Sequence, residues 1–223
     1  MLKVINCFEH STVVPQYNRV SVLRDSIKRD DSNIVDIKLQ VSYGIIQFNE
    51  SSYLKNLLID YTVQNGAYAK DFLPYIDLIG TCVLHQDTDF KSLLRLAGQD
   101  HIMRKCQDAI YEENFINPAL KWADNEGFTL PLSTLVILDS FVHSGSVPMF
   151  IRRRFKEPVP RNGGTEKDWI SEYILHRKKW MLSHKNTLLR NCAYRMNCFA
   201  ALIADDNWML EKLPIFANGV KIE

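Results

Sequence analysis

The segment from Pro131 to His143 is apolar on nearly every side of a helix, and it limits the fold more than any other part of the chain. Its apolar side chains leave no polar stripe between them: Leu132, Leu135, Val136, Leu138, Phe141 and Val142. A helix of this kind is stable in water only when other elements surround it. The sequence therefore predicts a central helix around which the rest of the chain packs.

Most of the remaining chain also has helical periodicity. Helices are predicted over 53–65, 68–78, 88–96, 100–111, 117–126, 165–181 and 188–203, with an irregular tail from Asp206. Strand signals occur only early in the chain, where residues 18–23 and 35–41 alternate between apolar and polar side chains on either side of a polar loop over 26–33. This combination predicts an α+β fold, mainly α, with a small antiparallel sheet and a long central helix.

The overall composition is that of one globular domain. The chain has 223 residues, 46% of them hydrophobic, and a formal net charge of +1. That length supports one sizeable core, so we expect a single domain over residues 1–223 and a monomer. The charge balance lacks the basic excess of nucleic-acid binders, and no run of about 18 apolar residues could span a membrane. We therefore expect no nucleic-acid partner and no membrane span.

The cysteines and the N-terminus give information about the compartment. Five cysteines form an odd set without zinc-ligand spacing, which favours reduced thiols and predicts no metal and no cofactor. The apolar segment at the N-terminus is interrupted by Glu9 before it reaches the length that a signal peptide needs. We therefore expect synthesis in the cytoplasm without a signal peptide. A substrate outside the cytoplasm would then require specialised export or lysis.

Three polar side chains near the N-terminus stand at the ends of short predicted elements. Glu9 ends an apolar helical turn, Asp25 follows a short strand, and Ser42 ends an alternating strand. A carboxyl group at a helix C-terminus faces the negative end of the helix dipole, which favours the protonated form that a general acid needs. Together the three residues supply an acid, a base and a hydroxyl that could hold a water molecule.

The order of these residues resembles the family 46 chitosanases and their relatives in the lysozyme-like superfamily, some of which cut peptidoglycan. The resemblance rests on three motifs, which are Glu9-His10-Ser11, Gln16-Tyr17 with Asp25 eight residues after Tyr17, and Ser42 ahead of Gly44-Ile45-Ile46-Gln47-Phe48. The segments 54–58 and 65–69 look closer to the peptidoglycan-cutting relatives. Weaker similarity extends over most of the chain.

The resemblance implies a two-lobed lysozyme-like fold with a cleft between a sheet-bearing lobe and a helical lobe. It also implies an inverting glycosidase in which Glu9 is the acid, Asp25 is the base, and Ser42 helps to hold the attacking water. Inversion requires a gap of about 6.5–9.5 Å between the two carboxyl groups. The segment between Asp25 and Ser42 is longer here than in chitosanases, so the base could instead be one of three nearby aspartates: Asp30, Asp31 and Asp36.

A second set of residues also matches the family in order and rough spacing. Asp139 in the central helix, Arg177 and Arg190 resemble an acid-and-arginine network that supports the catalytic base in chitosanases. An arginine near Asp25 would keep that carboxyl group ionised, as a base requires. A buried ion pair that only joins two helices is the alternative interpretation.

The choice of sugar depends on charge. Chitosan is a polycation, and chitosanases carry acidic residues in the stretch after the position of Arg177, where this chain has Lys178, Lys179 and Lys185. Peptidoglycan carries carboxylates, so a neutral-to-basic cleft suits it better. The leading hypothesis is therefore a muramidase-like peptidoglycan hydrolase, such as an antibacterial effector. A chitosanase is the first alternative, and a non-catalytic glycan- or protein-binding module is the second.

Three side chains close in sequence to the predicted carboxylates are candidates for binding the polysaccharide. Tyr17 and Tyr43 could stack on sugar rings, and Gln47 could donate and accept hydrogen bonds. Aromatic residues at helical spacing elsewhere are expected to belong to the core. The sequence leaves open whether an immunity or inhibitor protein pairs with the enzyme.

Overall fold

The computed structural model describes residues 1–28, 35–81 and 84–223, and for 25–28 and 35–38 it describes the backbone alone. The chain divides into two units. One unit consists of Pro15–Tyr111, and the other combines Met1–Val14 with Glu112–Glu223. The predicted fold class, mainly helical with a small antiparallel sheet, is confirmed.

The unit 15–111 contains the predicted sheet. Strands β1 (Val20–Lys28), β2 (Val35–Tyr43) and β3 (Phe48–Asn49) are antiparallel in the order β1-β2-β3. Strand β2 confirms the strand predicted over 35–41, although Leu39 is exposed and Gln40 is buried, the reverse of the predicted alternation at these two positions. Strand β1 continues through 26–28, which the sequence assigned to a loop, and residues 29–34 lie outside the described part of the chain. The described helices of this unit are α2 (Leu54–Val63), α3 (Ala69–Ile76), α4 (Thr88–Ala97) and α5 (His101–Tyr111).

The other unit is mainly helical. Its elements are α1 (Leu2–His10), a π-helical turn (Glu112–Ile116), α6 (Asn117–Glu126), α7 (Pro131–Ser144), α8 (Met149–Arg152), α9 (Glu166–Ser183), α10 (Thr187–Asn191), α11 (Tyr194–Ala204), β4 (Ile215–Ala217) and β5 (Val220–Ile222). Among the residues that the structure describes, no helix is long and apolar enough to cross a membrane.

Helix α7 is the predicted central helix. Its side chains are buried on almost all sides, including Leu132, Leu135, Val136, Ile137 and Leu138. Helices α6 and α9 pack against it, and Trp169 and Tyr173 of α9 stack on each other with ring centroids 5.1 Å apart. Because the core surrounds α7, a polar side chain on this helix needs an internal partner.

The C-terminal third differs from the sequence prediction in two places. The predicted helix over 188–203 is two helices, α10 and α11, separated at Cys192–Ala193. No glycine or proline marks this break, so the periodicity of the apolar residues predicts one continuous helix. The tail is not irregular throughout, because β4 and β5 form an antiparallel hairpin. Its turn is Asn218-Gly219, with φ of 49° and 77°, which is a strong hairpin signal that the sequence analysis missed.

Candidate active site

Helix α1 presents Glu9 in its last turn. The buried side of the helix consists of Val4, Ile5, Cys7 and Phe8. The helix ends at Ser11, whose φ of 55° is left-handed. The hydroxyl of Tyr194 donates a hydrogen bond of 2.6 Å to the Phe8 carbonyl, one of the terminal groups that no helical N–H can reach. The end of the helix, and with it the backbone of Glu9, is therefore held in place from α11.

A chain of four alternating charges extends inward from Glu9. The Oε1 atom of Glu9 accepts a hydrogen bond of 2.6 Å from Nη2 of Arg195. The Nη1 atom of Arg195 donates a hydrogen bond of 2.8 Å to Oδ1 of Asp139. The other carboxylate oxygen of Asp139 accepts from Nη1 of Arg177 at 2.7 Å. Exposure decreases along the chain, since the Glu9 side chain is 16% exposed, Arg195 5%, and Asp139 and Arg177 0%. The two arginines thus contact one fully buried carboxylate, that of Asp139, and one partly exposed carboxyl group, that of Glu9.

The network keeps Asp139 and Arg195 charged. Burial acts to raise the pKa of Asp139, but the positive charges of Arg177 and Arg195 outweigh it and hold the pKa below its usual value. Burial likewise acts to lower the pKa of Arg195, and the carboxylates of Glu9 and Asp139 raise it above the ordinary value. Because both groups stay ionised, Arg195 is a fixed positive charge against Glu9.

The predicted network contained the wrong second arginine. The Arg177–Asp139 ion pair is present, but Arg190 donates to the carbonyls of His184 and Lys185 at 2.8 and 2.9 Å and to Oγ1 of Thr187 at 2.7 Å. Arg190 lies on the short helix α10, before the break that re-orients the chain into α11. The network also contacts Glu9, the predicted acid, whereas the sequence analysis assigned it to the base.

Arg195 is the residue that the sequence analysis missed. It lies on the same side of α11 as Phe199 and Leu202, which follow it by four and seven positions. An arginine on the apolar face of a helix needs a buried carboxylate, and Asp139 is an acidic residue on the apolar helix α7. These two anomalies mark Arg195 and Asp139 as candidates for buried ion pairs, but the break between α10 and α11 decides that the two residues meet.

His143 lies beside this network, one helical turn after Asp139 on α7. Burial, then the positive charges of Arg195 and Arg177, lower its pKa from 6.5 to about 3, and Asp139 opposes this only in part. The imidazole is therefore neutral at pH 7 in the folded protein. In the unfolded chain it would bind a proton near pH 6.5.

This difference predicts how stability depends on pH. Because the unfolded chain binds the extra proton between pH 6.5 and about 3, the free energy of unfolding should fall as the pH decreases through that range. His143→Gln should flatten this part of the curve, as measured by urea denaturation at pH 7 and pH 4.5. The control is His101→Gln, whose side chain is 75% exposed. Equal slopes in the parent and His143→Gln would contradict the prediction.

The sheet-bearing unit fixes Ser42 and Gln47 in one tight turn. Ser42 is 3% exposed and its hydroxyl donates to the Gln47 carbonyl at 2.9 Å. The Gln47 amide donates to the Gly44 carbonyl at 3.0 Å and accepts from the Ser21 hydroxyl. The predicted sugar-binding role of Gln47 does not fit this geometry, because its amide nitrogen binds its own turn and its amide oxygen binds Ser21 of β1. The Ser42 hydroxyl likewise binds the turn, so its predicted contact with water has no support here.

The two candidate tyrosines have different surroundings. Tyr43 is 0% exposed, so its ring belongs to the core and the prediction that it stacks on sugar is wrong. Tyr17 is only partly buried, and its hydroxyl donates to Asp108 at 2.8 Å. Burial, then this hydrogen bond, raises the pKa of Tyr17 to about 12, so the hydroxyl stays protonated. Tyr17 remains a candidate for contact with substrate.

The predicted base lies where only the backbone is described. Asp25 is in β1, opposite Lys38 of β2, and the rival Asp36 is in β2, opposite Ile27. The side chains of both aspartates lie outside the described part of the chain, as do Asp30 and Asp31 entirely. The choice of Asp25 as the base stays a prediction.

Solved structures with a similar fold include chitosanases. The chain matches a Bacillus subtilis MY002 chitosanase in complex with 6 GlcN with a TM-score of 0.80 at 18% identity, covering 99% of this chain and 95% of that one. It matches the family 46 chitosanase of Gynuella sunshinyii in complex with chitotetraose with a TM-score of 0.80 at 19% identity, covering 98% and 93%. At these identities the likeness establishes the fold alone. No curated protein sequence matches the chain.

The fold is therefore that of these chitosanases. The sequence model of glycosyl hydrolase family 46 matches residues 55–215, well over half of the chain, and the protein belongs to that family. It is a glycoside hydrolase. The matched range includes Asp139, Arg177 and Arg195, whereas Glu9, Asp25 and Ser42 precede it.

Proposed function

We propose that the protein cleaves β-1,4 linkages of an amino-sugar polysaccharide with inversion, and that Glu9 is the general acid and Asp25 the general base. The ion pair between Glu9 and Arg195 is the observation that carries the assignment of the acid. When Glu9 gives its proton to the leaving oxygen, negative charge develops on its carboxylate. Arg195, held by Asp139, is already oriented to stabilise that charge, which is the arrangement that lowers a transition-state barrier.

Peptidoglycan is the substrate that we propose, on grounds of charge. Between Glu172 and Asp205 the chain has no aspartate or glutamate and six lysine or arginine residues, of which all but the buried Arg177 and Arg195 can contribute to the surface charge. Lys179 and Lys185 are exposed, and Lys178 is partly buried. A cationic sugar polymer would be repelled by such a surface, whereas the lactyl and peptide carboxylates of peptidoglycan would be attracted. Because peptidoglycan lies outside the cytoplasm, this proposal also implies that the protein is exported.

Chitosan is the second candidate substrate. The related chitosanases described above are bound to glucosamine oligomers, and an acid–base pair of the same kind would act on either polymer. The positive charge of the surface around α9 and α10 distinguishes the two candidates, because it should favour binding of peptidoglycan and disfavour binding of chitosan.

The deciding experiment is product analysis with purified sacculi and with chitosan, using the parent and Glu9→Gln. We expect reducing ends from sacculi, absent in Glu9→Gln, and mass spectrometry should identify the products as glycan fragments. NMR of the first products should show inverted anomeric configuration. Release from chitosan alone would make the protein a chitosanase. Binding of either polymer without any release by the parent would contradict the catalytic proposal.

A further inference from the structure

Helix α5 holds both ends of the polypeptide that forms the β1–β2 hairpin. The carbonyl of Tyr17, just before β1, accepts a hydrogen bond of 2.9 Å from Nε2 of Gln107. The N–H of Ile45, just after β2, donates to Oε1 of the same side chain at 3.1 Å. Gln107 is 0% exposed, so water cannot replace either bond. One buried amide thus joins the segment that enters the hairpin to the segment that leaves it.

The surrounding contacts make this clamp specific. The two segments also meet directly, since the Gly44 N–H donates to the Arg19 carbonyl at 2.8 Å. Gly44 has a φ of 79°, and a Cβ atom there would lie 2.1 Å from Oε1 of Gln107. A glycine is therefore needed for the amide to approach the turn. At other positions of α5, Asp108 accepts from the Tyr17 hydroxyl and Arg104 lies 5.7 Å from the Tyr17 ring centroid.

We propose that Gln107 is a positioning residue for the glycosidase reaction, which fixes Tyr17 and the turn 44–47 relative to each other at the base of the hairpin. The hairpin contains Asp25 and Ser42, so this inference rests on the proposed function. A small shift of the hairpin would move Asp25, the predicted base, away from the bond that reacts. Misplacement of about 1 Å can cost about a hundredfold in rate.

Gln107→Glu tests the clamp through pH. A protonated glutamic acid can donate to the Tyr17 carbonyl and accept from Ile45, as the amide does, whereas an ionised carboxylate can only accept. Burial favours the neutral acid, so ionisation should begin above the ordinary value of about 4.3. We therefore expect kcat close to that of the parent at low pH and a fall of about tenfold or more as the pH rises.

The neighbouring titratable groups do not produce the same change. Tyr17, whose pKa is about 12, and Tyr43, whose pKa burial raises further, stay protonated throughout this range. Arg104 and Asp108 are present in parent and variant alike. The charge-matched control is Gln99→Glu, because Gln99 is exposed and its substitution adds the same charge to the same unit. It should have the pH profile of the parent.

A second variant covers the case in which ionisation of the carboxyl group in Gln107→Glu unfolds the protein. Gln107→Met keeps the volume of the side chain and removes both hydrogen bonds. It should therefore lower kcat at every pH without a new pH-dependent step. Hydrogen exchange of the backbone amides should become faster at residues 15–19 and 44–47. Rates are measured on protein shown to be folded by circular dichroism. A purely structural residue would lower the melting temperature and leave kcat and its pH profile unchanged.

The outcomes separate the two proposals. An active parent with Gln107→Glu and Gln107→Met both within twofold of its kcat across the pH range would overturn the role of Gln107 alone. A parent without glycosidase activity would overturn the proposed function and, with it, the positioning role of Gln107 in the reaction. Unchanged exchange at 15–19 and 44–47 in Gln107→Met would overturn the clamp itself.

Discussion

Arg195→Met should destabilise the protein by about 3–5 kcal/mol, because among the described residues it leaves the buried carboxylate of Asp139 with Arg177 as its one ion-pair partner and Glu9 with none. For a chain of this size, that loss corresponds to a decrease in melting temperature of about 10 °C. At a temperature where the variant is folded, kcat should fall by about a hundredfold or more, since the negative charge that develops on Glu9 in the transition state loses the fixed positive charge of Arg195. Denaturant titration and single-substrate kinetics measure the two effects.

The matched control is Arg190→Met. Arg190 bonds to two backbone carbonyls and one hydroxyl on or near α10 and contacts no member of the charge network that the structure describes. We expect this substitution to cost about 1 kcal/mol and to leave kcat within a few-fold of the parent. If Arg190→Met were as harmful as Arg195→Met, the network described here would not be the one that supports Glu9.

Asp25→Asn should reduce kcat by at least about a hundredfold, within the range of about 10²–10⁴ typical of a general base. The amide keeps the shape of the carboxyl group but cannot take a proton from water. The substrate should still bind, so KM should change much less than kcat. Initial rates on the polymer that the parent cleaves give both constants.

The rival aspartates provide the controls for this prediction. Asp30→Asn, Asp31→Asn and Asp36→Asn should each retain near-parental rates. A large loss in one of them, together with normal turnover by Asp25→Asn, would transfer the role of base to that residue. The long hairpin makes this comparison necessary, because its extra residues separate Asp25 from Ser42 in sequence.

Periodicity predicted the elements that depend on local sequence. The apolar surface of residues 131–143 required a surrounded helix, and α7 is that helix. The alternation over 35–41 predicted β2, and the side chain of Asp87 caps α4 by accepting from the Phe90 N–H at 2.8 Å, where the sequence placed the start of a helix. These features follow from neighbours within one or two turns, so the sequence carries them directly.

Several site residues could not be chosen in this way. Arg190 and Arg195 are five positions apart in a segment that looks like one helix, and only the break at Cys192–Ala193 decides which of them reaches Asp139. Tyr17 and Tyr43 are both close in sequence to the predicted carboxylates, yet the side of the strand on which Tyr43 lies buries its ring completely. A shift of one residue along a strand reverses which face a side chain occupies.

The sequence by itself determined the helical class, the small sheet, the central helix and the order of the residues that resemble a glycosidase, because each depends on spacing along the chain. Tertiary structure alone decided that Arg195 bridges Glu9 to Asp139, that Gln47 binds its own turn, and that Gln107 joins the two ends of the hairpin. These contacts link residues as many as 186 positions apart. Their partners are selected by which side chains are buried together, and no local pattern of the sequence encodes that.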